Sequence, residues 1–228
     1  MKTTSSPNEA RPARRSIRGR LTGVLAIAIV GAAVIAATAS AGTTACAICG
    51  KNLIKNPGAD GGAGITAVDA FGAVPGWTVE SGQFGAASYT FPNGWFSKRS
   101  KGPKDRSKNY FFGGTTRAAV EATASVGKQT IKLPAAAAGK KATLSGWLGN
   151  YGKNYAQVRA QFEDAAGTVM AAVKIGPDTT ISSTDMQARS RSIKVPAGAK
   201  QVTVVVSFGG GGSNYKLAGA DSLSLVLS

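Results

Sequence analysis

From Asn52 to Ser228 the chain consists of short strand-like runs punctuated by Gly, Pro, Asn and Asp, without a convincing helical period. That pattern restricts the fold to all-β. Tyr155-Ala-Gln-Val-Arg-Ala-Gln-Phe162 alternates cleanly. Ala156, Val158, Ala160 and Phe162 therefore face a core, while Tyr155, Gln157, Arg159 and Gln161 face the other way. Val202, Val204, Val206 and Phe208 form a second apolar row, and Leu223, Leu225 and Leu227 a third. Rows of this kind bury themselves against one another, so the chain predicts a two-sheet antiparallel β-sandwich.

Ahead of this domain stands an export-type leader. Arg11, Arg14, Arg15, Arg18 and Arg20 precede an apolar run from Leu21 to about Ala37, and Ala39-Ser40-Ala41 has the small-residue spacing of a cleavage site. The expected division is residues 1–41 as a Sec or twin-arginine signal peptide, 42–51 as a short N-terminal segment, and 52–228 as a single β-sandwich domain. Thr22, Gly23 and Gly31 interrupt the apolar run, which also lacks a basic stop-transfer flank. A signal rather than a stable membrane span is the expectation, which places the mature protein outside the cell, secreted or wall-associated.

Cleavage after Ala41 removes six of the 27 basic residues and one of the 11 acidic ones, leaving 21 against 10, a formal +11. A charge of that size attracts anionic polymers, although it also serves solubility alone. Cys46 and Cys49 form an isolated C-A-I-C. In an oxidising compartment this reads as a small disulfide loop or a pair of free thiols, since a chain without histidine or other cysteines has no ligands to complete a zinc site.

In the run Ala142-Thr-Leu-Ser-Gly-Trp-Leu148, Trp147 shares a face with Thr143 and Ser145. If this strand neighbours Tyr155–Phe162, then Trp147, Tyr155, Gln157, Arg159 and Gln161 form one surface: an aromatic ring beside a row of hydrogen-bonding groups. Sugars want that mixture, because their C–H faces stack on rings while their hydroxyls need paired donors and acceptors. The competing reading buries Trp147 under a loop. Trp95 and Tyr110 are further aromatic candidates for ligand contact.

Asn52-Leu-Ile-Lys-Asn-Pro-Gly-Ala-Asp60, Val74-Pro-Gly-Trp77, Lys108-Asn-Tyr-Phe-Phe-Gly-Gly114, Leu144-Ser-Gly-Trp-Leu-Gly-Asn-Tyr151 and Ala220-Asp-Ser-Leu-Ser-Leu225 together resemble secreted actinobacterial domains with the galactose-binding-like jelly roll of several carbohydrate-binding modules. The resemblance covers about residues 52–228 and speaks more to fold than to ligand. It implies non-catalytic recognition of a cell-wall or environmental polysaccharide. It also implies a structural calcium held by an acid after the opening N-P-G turn and another before the last strand, positions occupied here by Asp60 and Asp221. The chain departs from the usual pattern in having Asp60 rather than a Glu, and Ser222 after Asp221, so backbone carbonyls would complete more of a calcium shell.

Lys98-Arg-Ser-Lys-Gly-Pro-Lys-Asp-Arg-Ser-Lys108 holds six cations and one acid between aromatic pairs. Lys98, Arg99, Lys101, Lys104, Arg106 and Lys108 are candidates for gripping a polyanion, with a solvated loop as the plainer reading. No nucleic-acid motif is present, so specific nucleic-acid recognition is not expected. The lack of histidine excludes Ser-His triads, and Glu80, Glu121, Glu163, Asp164 and Asp185 stand in no catalytic motif, which argues against an enzyme. The remaining alternative is an extracellular structural or adhesive surface protein.

Overall fold

A computed structural model describes residues 45–65, 67, 72–91, 95–115, 117–177, 184–210 and 215–228. The leader and the cleavage site after Ala41 lie outside the described residues. The described residues build ten strands: β1 (Thr78–Ser81), β2 (Gly85–Ser88), β3 (Asn109–Phe112), β4 (Ala124–Lys132), β5 (Lys141–Asn150), β6 (Asn154–Glu163), β7 (Val169–Ile175), β8 (Met186–Lys194), β9 (Gln201–Gly210) and β10 (Ala218–Leu227). A five-residue helix, α1 (Arg117–Glu121), precedes β4.

The strands form two five-stranded sheets, ordered β1-β4-β9-β6-β7 and β2-β3-β10-β5-β8. Their paired strands run antiparallel. This is a jelly-roll sandwich, and its core uses the rows expected from the alternation. Ala156, Val158, Ala160 and Phe162 of β6, Val202, Val204, Val206 and Phe208 of β9, and Leu223, Leu225 and Leu227 of β10 are all buried in it. Each large apolar side chain taken fully from water contributes roughly 1.5–3 kcal/mol.

The N-terminal segment is fastened to the last strand. Asn52 Nδ2 donates to the Leu223 carbonyl at 2.9 Å, and Asn52 Oδ1 accepts from the Leu225 amide at 3.0 Å. Just before it, Cys46 and Cys49 are joined in a disulfide, the first of the two states the spacing allows.

A second apolar cluster lies on the outer face of the β2-β3-β10-β5-β8 sheet. Ile65, Ala87, Tyr89, Phe96, Tyr110, Phe112, Met186 and Leu217 are buried there, with Trp95 and Trp147 packed at its margin. The described parts of Tyr89–Lys108 supply its lid. Gly149 and Gly219 make room for it: a Cβ on Gly149 would stand 2.5 Å from Phe96 Cε1, and one on Gly219 2.8 Å from Phe96 Cε2. One part of this face is thereby covered, and the part around Trp147 is left open.

Candidate functional site

β5 and β6 follow each other closely in sequence but belong to different sheets. Trp147 points outward from one sheet and Tyr155, Gln157, Arg159 and Gln161 outward from the other. The single surface expected from neighbouring strands is therefore not formed. Tyr155 lies over Gly209 on β9, where a Cβ would come within 2.5 Å of its Oη. Gln157 stands opposite Ser207, and Arg159 opposite Val205 and Lys174.

Two other aromatic candidates serve packing. Tyr110 is wholly buried, with 0% exposure, so it cannot meet a ligand from the loop side. Trp95 is half-buried and stacks on Phe112, with ring centroids 4.8 Å apart.

Trp147 keeps a half-buried ring on an outer face rich in hydroxyls. It pairs with Asp221 on β10 and Ala188 on β8. Beside it is a depression of about 300 Å³ lined by Ser145, Gly146, Trp147, Ala188, Arg189, Ser190 and Ser222. Farther along the same face Thr143 and Ser192 share a 3.0 Å hydrogen bond. Trp147 and Ser145 are thus joined by Ser190 and Ser222, which sequence reasoning missed, while Arg189, opposite the core-facing Gly146, lines the rim from the strand edge. The clue was available in β8, where hydroxyls alternate with arginines along Arg189-Ser190-Arg191-Ser192.

Asp60 and Asp221 converge on Gly58. A Cβ at Gly58 would lie 2.9 Å from Asp60 Oδ2 and 3.1 Å from Asp221 Oδ1, so only glycine leaves the space between the carboxylates open. Asp60 Oδ1 accepts the Lys108 and Asn109 amides, both at 2.9 Å. Asp221 is buried; its Oδ2 accepts the Tyr89 hydroxyl at 2.7 Å and its Oδ1 the Ser222 amide at 2.5 Å. The Leu223 amide donates to the Pro57 carbonyl at 3.0 Å, holding the N-P-G turn against β10 where its register shifts.

Burial pushes the Asp221 carboxyl up to about 7 despite the opposing pull of the Tyr89 and Ser222 hydrogen bonds, and the charges of Asp60 and Asp105 push it the same way. Burial, followed by the Asp221 charge, also raises the Tyr89 phenol well above its ordinary range. The hard oxygens facing Gly58 suit calcium chemically. Among the described residues no group of three or more His, Cys, Asp or Glu is gathered for a metal. A cation here would draw the rest of its shell from carbonyls or water.

The basic segment divides by role. Arg106 is half-buried and spent on its own loop: Nε donates to the Pro103 carbonyl, and Nη1 to the Ser97 and Ser100 carbonyls, at 2.7–2.9 Å. Its guanidinium also lies 5.4 Å from the centre of the Tyr89 ring. This corrects its placement among the polyanion contacts. Lys98, Arg99, Lys101, Lys104 and Lys108 are exposed.

Of the acids weighed for catalysis, Glu80 pairs with Lys128 at 2.6 Å and Glu163 accepts from Gln201 and Thr203. Asp164 closes a turn through the Ala166 and Thr168 amides, and Asp185 accepts the Lys101 amide. Among the described residues, no helix is long and apolar enough to cross a membrane.

No family model matches the chain, and no curated protein matches it in sequence. Solved structures do show likeness. The enzymatically active domain of bacteriophage CBA120 tailspike protein 4 is similar over 78% of this chain at 14% identity and a TM-score of 0.50; the match spans only 21% of that protein. TmCBM61, solved in complex with β-1,4-galactotriose, is 17% identical with a TM-score of 0.45, covering 78% of this chain and 99% of its own. A family 16 carbohydrate-binding module is likewise 17% identical at 0.45, covering 77% and 99%. At 14% identity the tailspike likeness is one of fold, and the chain is a two-sheet jelly-roll sandwich.

Proposed function

We propose that this protein is a secreted, non-catalytic domain that binds a cell-wall or environmental polysaccharide around Trp147. The observation that carries the reading is the half-buried Trp147 ring set beside Ser145, Ser190, Ser222 and Arg189 in an open depression. The ring offers an apolar platform for a sugar's C–H face, and the hydroxyls offer partners for its oxygens. The covered half of the face is already filled by Phe96, so the ligand lies toward β8. Loss of polysaccharide retention in Trp147→Ala, with an unchanged melting temperature, tests the assignment.

Asp60 and Asp221 would hold a structural calcium. Calcium would supply positive charge between two carboxylates, one of them buried, and so fasten the opening turn to the last strand. Asp60 orders the start of β3 through two amides, and Tyr89 orients Asp221 from the covering segment.

The exposed cations of the 98–108 loop favour a second reading, retention on an anionic polymer, which would weaken steeply with salt.

A further inference from the structure

The strand register lays out a grid of side chains on the outer face beside Trp147. Trp147, Ser145 and Thr143 point outward from β5, and their partners on β8 are Ala188, Ser190 and Ser192. On the other flank β10 sets Ser224 opposite Ser145 and Val226 opposite Thr143, and its shifted register after Asp221 brings Ser222 to the Trp147 depression. Two cross-strand rows therefore follow the ring: Ser190, Ser145 and Ser224, then Ser192, Thr143 and Val226. All six side chains are exposed or half-buried, and Lys141 opposite Lys194 ends the array one row farther on.

Adjacent strands lie about 4.8 Å apart and outward residues recur about every 7 Å along a strand, so the floor measures roughly 10 Å across and roughly 14 Å from Trp147 to Thr143. The six outward positions of the two rows carry no ionisable side chain and nothing larger than valine. Among the described residues β8 is the outermost strand of its sheet, so the floor runs out to the sheet edge on that side. Hydroxyls both donate and accept and rotate to suit a partner, as Thr143 and Ser192 do with each other at 3.0 Å.

The complement of a low floor of hydroxyls beside one aromatic ring is another layer of uncharged hydroxyls. An ionised ligand gains no charge-assisted hydrogen bond from these two rows. A single soluble chain stacked on Trp147 covers only part of the floor and must be ordered on binding. Chains already packed side by side in a solid meet the ring and both rows together, without that ordering cost.

We infer that the ligand at Trp147 is an uncharged, insoluble polysaccharide of the cellulose or chitin kind, bound through the flat face of its packed chains. Trp147 stacks on one sugar ring while Ser190, Ser145 and Ser224 meet the neighbouring hydroxyls. This rests on the Trp147 reading and adds the substrate class and the surface that the ligand covers.

The test is depletion of the purified protein from solution by crystalline cellulose and by insoluble chitin at high salt, with the matching soluble hexasaccharide as competitor. Three variants of unchanged melting temperature are run beside it: Trp147→Ala, Ser190→Glu, and Ala172→Glu, which adds the same charge at an exposed position on the other sheet. The expected result is retention on one of the two solids that excess hexasaccharide does not displace, and its loss in Trp147→Ala. Ser190→Glu puts an unpaired carboxylate under the ligand layer and should weaken retention at least about tenfold, whereas Ala172→Glu should leave it unchanged. Ready displacement by the hexasaccharide would show recognition of single chains and overturn the packed-face class while leaving the Trp147 site standing. Retention unaffected by Ser190→Glu, or weakened equally in both Glu variants, would overturn the hydroxyl floor with the same site left standing. Retention on neither solid, with Trp147-dependent retention on some other polysaccharide, would overturn the class alone. Retention untouched in Trp147→Ala, or none on any polysaccharide, would overturn the Trp147 reading and this inference with it.

Discussion

The Tyr89 hydroxyl donates a 2.7 Å hydrogen bond to Asp221 Oδ2, joining the segment that covers the outer sheet face to that sheet's last strand. Both groups are buried, so neither can exchange this partner for bulk water without opening the cover. Tyr89→Phe keeps the ring packed against Tyr110 and beneath Arg106 while removing the donor. Stability is expected to fall by about 1–3 kcal/mol, the cost of leaving a buried acceptor short of its partner. Urea unfolding measures this, and an unchanged midpoint would show that the bond is dispensable.

Calcium and pH act on the same carboxylate. Folding raises Asp221 from an ordinary value of 3.8 to about 7. The native state therefore holds this proton more tightly than the unfolded chain. Its stabilising contribution is complete below the unfolded value and is lost as pH rises through about 7, with a slope of up to about 1.4 kcal/mol per pH unit. In chelator-treated protein the melting temperature should fall between pH 4 and 7, and Asp221→Asn should flatten that fall. Added calcium should raise the melting temperature most at pH 7.5 and little near pH 4, with about 2.7 kcal/mol expected at a hundredfold excess over Kd. No shift at pH 7.5 in fully chelated protein would contradict the calcium assignment.

Phe96 packs onto the sheet because Gly149 and Gly219 lack side chains. In Gly149→Ala the new carbon would sit 2.5 Å from the Phe96 ring and 2.8 Å from the Asp185 carbonyl. Overpacking of this kind costs about 1–3 kcal/mol. Because the clash falls on the covering segment, proteolysis should first cut within residues 95–108, before the sandwich core yields. Initial cleavage elsewhere would separate the cover's stability from Phe96.

Arg106 and its loop neighbours separate structure from charge. Arg106→Gln removes a guanidinium that serves three carbonyls and the Tyr89 ring, and should lower the melting temperature. Lys98→Gln and Lys104→Gln, at exposed positions, should each stay within about 0.5 kcal/mol of the parent. Equal effects would argue against Arg106 as the loop's organiser.

The sandwich was legible in the sequence because period-two burial is a local property. The alternation in Tyr155–Phe162 identifies β6 and its inward residues from the chain alone. The partner of that strand is not a local property. The Tyr151–Lys153 connection reads equally well as a hairpin or as a crossing between sheets, and here it crosses, which moves Tyr155, Gln157 and Arg159 away from Trp147. The outer apolar cluster was also hidden, because Gly149 and Gly219 read as turn-forming or permissive residues until Phe96 is seen against them. The nearness of Asp60 to Asp221 depends on the N-P-G turn meeting the shifted register at Ser222, a contact between the two ends of the domain that no local pattern encodes.

The most direct test of the account is salt-resistant retention on a panel of xylan, cellulose, chitin, galactan, polygalacturonate and purified cell wall, comparing the unaltered protein with Trp147→Ala of equal melting temperature. The account predicts retention on at least one polysaccharide at high salt and its loss in the variant. Retention that is unaffected by Trp147→Ala, or that disappears for every polymer once salt is raised, would contradict it.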